Sequence, residues 1–126
     1  MKNVNESLEN ISIDHKVIGF CLDYEFFHKV KNILDPTMFS GQVKELYNTI
    51  VHAHTTYEKN ISKDELYALH IDENPAMPSS SKTEIMGVVQ SLPPDANNFD
   101  LQMDIVKNFW LRDRARQVGE KAIAIF

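Results

Sequence analysis

The stretch from Gly41 to Lys59, GQVKELYNTIVHAHTTYEK, decides the fold class of this chain. Its apolar side chains return every three or four residues, which is the spacing of one face of an α-helix. The stripe consists of Val43, Leu46, Tyr47, Ile50, Val51, His54 and Tyr57. We therefore predict a long amphipathic helix here, at the centre of the core.

Helical patterns separated by polar or proline-marked joints extend from this segment in both directions. Upstream, Asp14 and Asp23 are predicted N-caps of two helices, and Asp35-Pro36 ends the second of them. Downstream, Ser62 and Glu65 form a capping-box pattern ahead of a short helix. Since no alternating strand pattern occurs, the sequence predicts an all-α fold, a small orthogonal helical bundle.

The second half of the chain contains a predicted loop and two further predicted helices. From Asp72 to Lys82 the sequence has two prolines and three consecutive serines, a composition typical of an irregular and mobile loop. A helix resumes with Ile85 and ends at Pro93-Pro94. Asn97-Asn98 is the predicted cap of a terminal helix that begins at Phe99.

This organisation divides the chain into a polar tail (residues 1–13), a helical globule (residues 14–98) and a terminal helix (residues 99–126). The apolar positions of the terminal helix are Leu101, Ile105, Phe109, Ala115, Val118, Ala122 and Ile125. They continue to Phe126 without a capping Gly, Pro or Asn. We expect either that the protein continues past Phe126, as a helical hairpin or a linker, or that a partner buries the helix end.

Composition sets limits on the class of protein. The 126 residues include a single cysteine, and no apolar run reaches the roughly 20 residues that a membrane span needs. The N-terminus lacks the apolar centre of a signal peptide. Together with the lone thiol, these features predict a soluble protein of the reducing cytoplasm, with no membrane contact.

The charge distribution argues against an independent nucleic-acid binder. Residues 1–98 carry 8 basic and 14 acidic side chains, whereas residues 99–126 carry 5 basic and 4 acidic ones. DNA binding requires clustered cations to neutralise phosphates. We therefore expect direct DNA binding to be weak or absent, and any contact with DNA to be local.

The common signatures of catalysis and cofactor binding are missing. The four glycines are isolated from one another, so no phosphate-cradling loop is formed. His52 and His54 are two residues apart, which places them on different sides of a helix and prevents joint metal binding. Cys21 lies in a helical stripe and is interpreted as a small core residue. We expect no catalytic, cofactor or metal site in this chain.

The arginine cluster of the terminal helix is the one polar constellation that stands out. All three arginines, Arg112, Arg114 and Arg116, lie within five residues. One interpretation is a solvated helix side with an intrahelical pair between Arg116 and Glu120. The other is a protein interface that aromatic side chains anchor and guanidinium groups orient. The predicted interface residues are Ile105, Phe109, Trp110, Arg112, Arg116, Val118 and Ala122.

Several ordered segments resemble the N-terminal domain of DnaB-type replicative DNA helicases. They are Val17-Ile18-Gly19-Phe20-Cys21-Leu22-Asp23, Phe26-Phe27-His28-Lys29-Val30, Met38-Phe39, Glu45-Leu46-Tyr47-Asn48-Thr49-Ile50 and Ile61-Ser62. The T-even phage branch is the more similar one, because it shares the Asp-x-x-Phe-Phe-x-Lys-Val segment and a Trp-containing terminal helix rich in Arg and Ala. The likeness covers about Lys16 to Ile125, but the chain lacks the longer second half of the bacterial members.

The resemblance implies a collar domain above a separate ATPase ring. Such a collar assembles the ring and receives primase or a helicase loader, while ATP and Mg belong to a motor domain outside this chain. A phage-encoded protein of this kind would work in the cytoplasm of a bacterial host. A free-standing helical adaptor that binds a protein through the same terminal helix is the alternative that the residues leave open.

Overall fold

A computed structural model describes residues 12–93 and 98–125, with side chains as far as residue 119. Over these residues the fold is all-α, which confirms the predicted class. The helices are α1 (Ile13–Phe20), α2 (Tyr24–Val30), a 3-10 turn (Pro36–Met38), α3 (Gly41–Tyr57), α4 (Lys63–Glu73), α5 (Ser79–Ser91) and α6 (Phe99–Ile125).

Two of the predicted helix starts are confirmed by their hydrogen bonds. The Asp23 carboxylate accepts from the backbone N–H of Phe26 at 2.9 Å, so it caps α2. At the start of α4, Ser62 Oγ accepts from the N–H of Glu65 at 3.1 Å, and Glu65 Oε1 accepts from the N–H of Ser62 at 2.9 Å. This reciprocal capping box satisfies two backbone donors that a helix leaves without internal acceptors.

The first helix starts two residues earlier than predicted. Its N-cap is Ser12, not Asp14, and the Asp14 carboxylate accepts from Ser12 Oγ at 2.6 Å and from the N–H of His15 at 2.9 Å. The helix also ends at Phe20, so Cys21 and Leu22 follow it, although both are buried in the core. Asp14 therefore lies in the first turn of α1, where its carboxylate binds the hydroxyl of the cap residue Ser12.

The predicted loop from Asp72 to Lys82 is wrong over most of its length. The α4 helix continues to Glu73 and α5 begins at Ser79, so only residues 74–78 form the connection. The serines occupy the first turn of α5, directly after Pro78. Proline removes no needed donor at a helix start, and burial of the apolar face stabilises a helix whose serines have low intrinsic propensity.

The core lies between α3 and the helices around it. The α3 helix packs against α1 and α4, α4 packs against α5, and α1 packs against α6. The largest fully buried side chains of this core include Phe26, Ile18, Leu46, Ile50, Leu66, Ile85 and Leu92. The predicted stripe of α3 is buried except for two residues: Val51 is half-buried, and Tyr57 is exposed at the last residue of the helix.

Gly19 of α1 packs closely against the side chain of Pro93, which follows α5. An added Cβ at Gly19 would lie 2.6 Å from Pro93 Cδ and 2.8 Å from Pro93 Cγ. The lone thiol, Cys21, follows two residues later and is fully buried, and this burial raises its pKa.

None of the helices in the described ranges has both the length and the apolar composition to cross a lipid bilayer.

Replacing Gly19 with alanine should lower the free energy of unfolding by about 1–3 kcal/mol, because the rigid Pro93 ring occupies the space of the new methyl group. Gly87→Ala is the matched control: it lies inside α5 with nothing within 4 Å of its added Cβ, and alanine there should stabilise by about 0.5–1 kcal/mol. Urea unfolding of both variants measures the difference. Equal stabilisation by the two substitutions would contradict the packing of Gly19 on Pro93.

Candidate protein-interaction surfaces of the terminal helix

The first turns of α6 belong to the globule, although the sequence places the whole helix outside it. The Asn98 carboxamide oxygen accepts from the N–H of Leu101 at 3.1 Å, which confirms Asn98 as a cap; Asn97 lies outside the described residues. Gln102, Val106 and Phe109 are then buried at successive turns. Leu101, one of the apolar positions of the terminal helix, is 56% exposed, because it faces away from these three residues.

Phe109 is a core residue of its own chain and not a surface anchor. It is only 7% exposed, and its ring centroid lies 5.2 Å from that of Phe39, which stacks in turn on Tyr47. A side chain covered in this way has little surface left for another protein. The expected interface role of Phe109 is therefore corrected: it attaches α6 to the globule.

Beyond Phe109 the globule no longer buries the side chains of α6. None of the side chains from Trp110 to residue 119 is buried, and only Asp113 and Gln117 are half-buried. Trp110, Leu111 and Val118 are 38%, 56% and 64% exposed. Large exposed apolar side chains in a row along one helix are typical of interaction sites.

These exposed apolar residues share one side of the helix with a cation. The Arg114 guanidinium lies over the Trp110 ring, 5.6 Å from its centroid. Leu111, Arg114 and Val118 follow at intervals of three and four residues, which places them on one face. We call this surface, formed by Trp110, Leu111, Arg114 and Val118, the tryptophan flank. Its composition of Trp, Arg and aliphatic side chains resembles that of binding hot spots.

The other two arginines line a separate surface. Arg112 and Arg116 face an open groove of about 730 Å³ between α6, the start of α1 and the 3-10 turn. Ile13, Met38 and Phe109 contribute apolar walls to the same groove. We call it the arginine groove. Arg112 and Arg116 are four residues apart and share this face of α6, whereas Arg114 lies over Trp110.

Ile105, Arg116 and Ala122 are the other predicted interface residues of α6. Ile105 is half-buried against the core, so it contributes to attachment of α6 more than to a free surface. Arg116 donates to Asp113 at 2.9 Å; its predicted pairing with Glu120 involves a side chain outside the described residues. The side chain of Ala122 also lies outside them.

A buried polar network between α3 and α4 is the other constellation with chemical groups. Thr49 Oγ and His70 Nδ1 lie 2.8 Å apart, and Thr49 Oγ donates to Glu73 Oε2 at 3.3 Å, while His52 pairs with the other oxygen of Glu73. Burial lowers the pKa of His70 against opposing effects of Glu45 and Glu73. Because Thr49 and His70 are 3% and 1% exposed, no substrate could reach a hydroxyl activated there.

A second buried histidine connects α3 to the end of α1. His54 Nε2 donates to the carbonyl oxygen of Cys21 at 2.6 Å, and the ring stacks on Phe27 with centroids 4.7 Å apart. Burial lowers its pKa, ahead of opposing effects from the backbone of Cys21 and Lys59 and the charge of Asp23. The apolar stripe of α3 predicted the burial of His54, whereas nothing in the sequence indicated that of His70.

Metal-ligating side chains do not cluster: within the described ranges, no three His, Cys, Asp or Glu residues are placed to hold an ion. Comparisons with protein-family models, curated proteins and solved structures found no match. The tryptophan flank and the arginine groove are the two surfaces of α6 with the composition of a binding site.

Proposed function

We propose that this chain is an assembly and partner-docking domain, and that the exposed face of α6 from Asp100 to Val118, which includes the tryptophan flank, pairs with the same face of a second copy. The proposal depends on the exposure of Trp110, Leu111 and Val118, which lie on the part of α6 that the globule does not bury. Water contact with this much apolar surface costs free energy that helix pairing would recover.

Charge along the flank favours pairing in an antiparallel orientation. Asp100 lies about two turns before Lys107, Asp104 lies almost three turns before Arg114, and all four are exposed. Their spacing places them on the side of α6 that carries Leu111. Two such helices side by side and antiparallel would set Asp104 of one copy against Arg114 of the other. A symmetric dimer would contain two such contacts, one on each side of its two-fold axis.

Within the resemblance stated above, the proposal extends to a collar domain of a DnaB-type replicative helicase. The ordered helix and joint motifs from Lys16 to Ile125 support it, together with an all-α fold. In this proposal the chain provides assembly and a docking place for primase or a loader, and nucleotide chemistry belongs to another part of the parent protein. The DNA after codon 126 should then encode a motor domain with a phosphate-binding loop; a stop codon there would overturn the helicase assignment.

A charge-swap experiment tests the antiparallel dimer. We expect sedimentation equilibrium of the chain to show a monomer–dimer transition, which Asp104→Arg or Arg114→Asp alone weakens about tenfold through like-charge contact. The double variant restores opposite charges and should recover most of the affinity. Arg112→Asp is the control, because it makes the same charge change as Arg114→Asp at an exposed position on the opposite side of α6.

The outcomes separate self-association from the adaptor alternative. A monomer at every concentration would overturn the dimer. Two single variants that weaken association without rescue in the double variant would exclude the antiparallel arrangement. An adaptor that binds a different protein through the tryptophan flank would lose that partner in the Arg114→Asp variant, and Asp104→Arg would not restore it.

A further inference from the structure

We propose that the arginine groove binds an acidic peptide segment of a partner protein. This proposal is independent of the dimer, since it concerns the opposite side of α6 from the tryptophan flank. Three cationic side chains from two helices face the groove: Lys16 from α1, and Arg112 and Arg116 from α6. Cations gathered from distant parts of the chain create a local positive potential on an otherwise acidic protein.

The two carboxylates of the groove are already engaged by neighbouring groups. Asp113 is held by Arg116 at 2.9 Å and by the Gln117 carboxamide at 2.9 Å, and its side chain is 9% exposed. Asp14 accepts from Ser12 Oγ and from the N–H of His15. Their charges offset part of the positive potential, yet three cations against two anions leave the groove positive, and Lys16 and Arg112 are among its lining residues.

The apolar walls indicate a peptide in preference to a small anion. Ile13 and Met38 are only partly buried, so between the cations the groove offers hydrocarbon surface. Carboxylates would pair with the cations, and guanidinium groups bind carboxylates with directional hydrogen bonds. One large apolar side chain of the same peptide would cover the apolar walls. A segment in which Glu or Asp residues surround a Leu or Phe has this chemistry.

Fluorescence anisotropy with a labelled synthetic octapeptide, Glu-Glu-Leu-Glu-Glu-Phe-Glu-Glu, tests the proposal. We expect saturable binding at low salt, and no binding of the same peptide with Gln in place of every Glu. Lys16→Gln combined with Arg112→Gln should weaken binding about tenfold or more, because two charge-assisted contacts are lost. Lys31→Gln combined with Lys44→Gln removes the same charge from exposed positions on other elements and should change binding less than about twofold.

Three results would overturn the proposal. The first is no binding of the Glu peptide at low salt. The second is an equal loss of affinity in both double variants, which would show a general charge effect. The third is displacement of the peptide by a single-stranded oligonucleotide that itself binds more tightly, which would identify the groove as a phosphate-binding surface. Circular dichroism of each variant confirms that the fold is retained.

Discussion

Phe109→Ala should lower the free energy of unfolding by about 3–5 kcal/mol, a large part of the stability of a domain this size. The phenyl ring is 7% exposed and lies against Phe39, so its removal leaves a cavity between α6 and the globule. The loss should appear as a lower midpoint in thermal or urea unfolding at a protein concentration below that of any dimer.

Trp110→Ala is the natural control, because it removes a larger side chain from the very next position. Trp110 is 38% exposed, so its loss should cost about 1 kcal/mol or less in the monomer. The same substitution should weaken association, since it removes the aromatic part of the tryptophan flank. If Phe109→Ala leaves the unfolding midpoint unchanged and only disrupts association, Phe109 is a surface anchor and its described packing is wrong.

Acidification should destabilise the chain steeply below about pH 6.5, through His54 and His70. Both imidazoles are buried, and burial lowers the pKa of each below the ordinary value of 6.5. As the pH falls, the unfolded chain therefore takes up protons before the folded chain does. The free energy of unfolding rises with pH in this window and is lost as the pH falls, by up to about 1.4 kcal/mol per unit for each histidine.

Urea unfolding at a series of pH values from 7.5 to about 5 measures this slope. His70→Gln should reduce the slope by roughly the contribution of one proton, although the substitution also lowers stability at neutral pH. His28→Gln is the control, because it makes the same substitution at an exposed imidazole on α2. A wild-type chain with no slope between pH 6.5 and 5 would contradict neutral burial of the two histidines.

Local sequence signals predict most of the helices. They fail where contacts between residues far apart in the sequence determine the structure. Asp23, Ser62 and Glu65 were identified correctly as caps because capping bonds join residues three positions apart. The start of α5 was missed, since serines and prolines favour turns and only the burial of Ile85 against other helices outweighs them.

The candidate surfaces were predictable only in part, for a similar reason. Periodicity located an amphipathic terminal helix, but it could not decide which of the neighbours Phe109 and Trp110 faces the core. That choice is made by Phe39, about 70 positions earlier in the chain. Lys16 and Arg112 likewise line one groove although they are 96 positions apart in the sequence. No short-range pattern carries such information.

The burial of Cys21 makes this chain its own reporter of conformational opening. A thiol that is protected from water and held in its protonated form cannot react with an alkylating reagent until the surrounding helices separate. Because the sequence contains no other cysteine, the rate of modification measures how often that part of the molecule opens, without an introduced label. A ligand that occupies either surface of α6 and thereby holds this helix in place should slow the reaction.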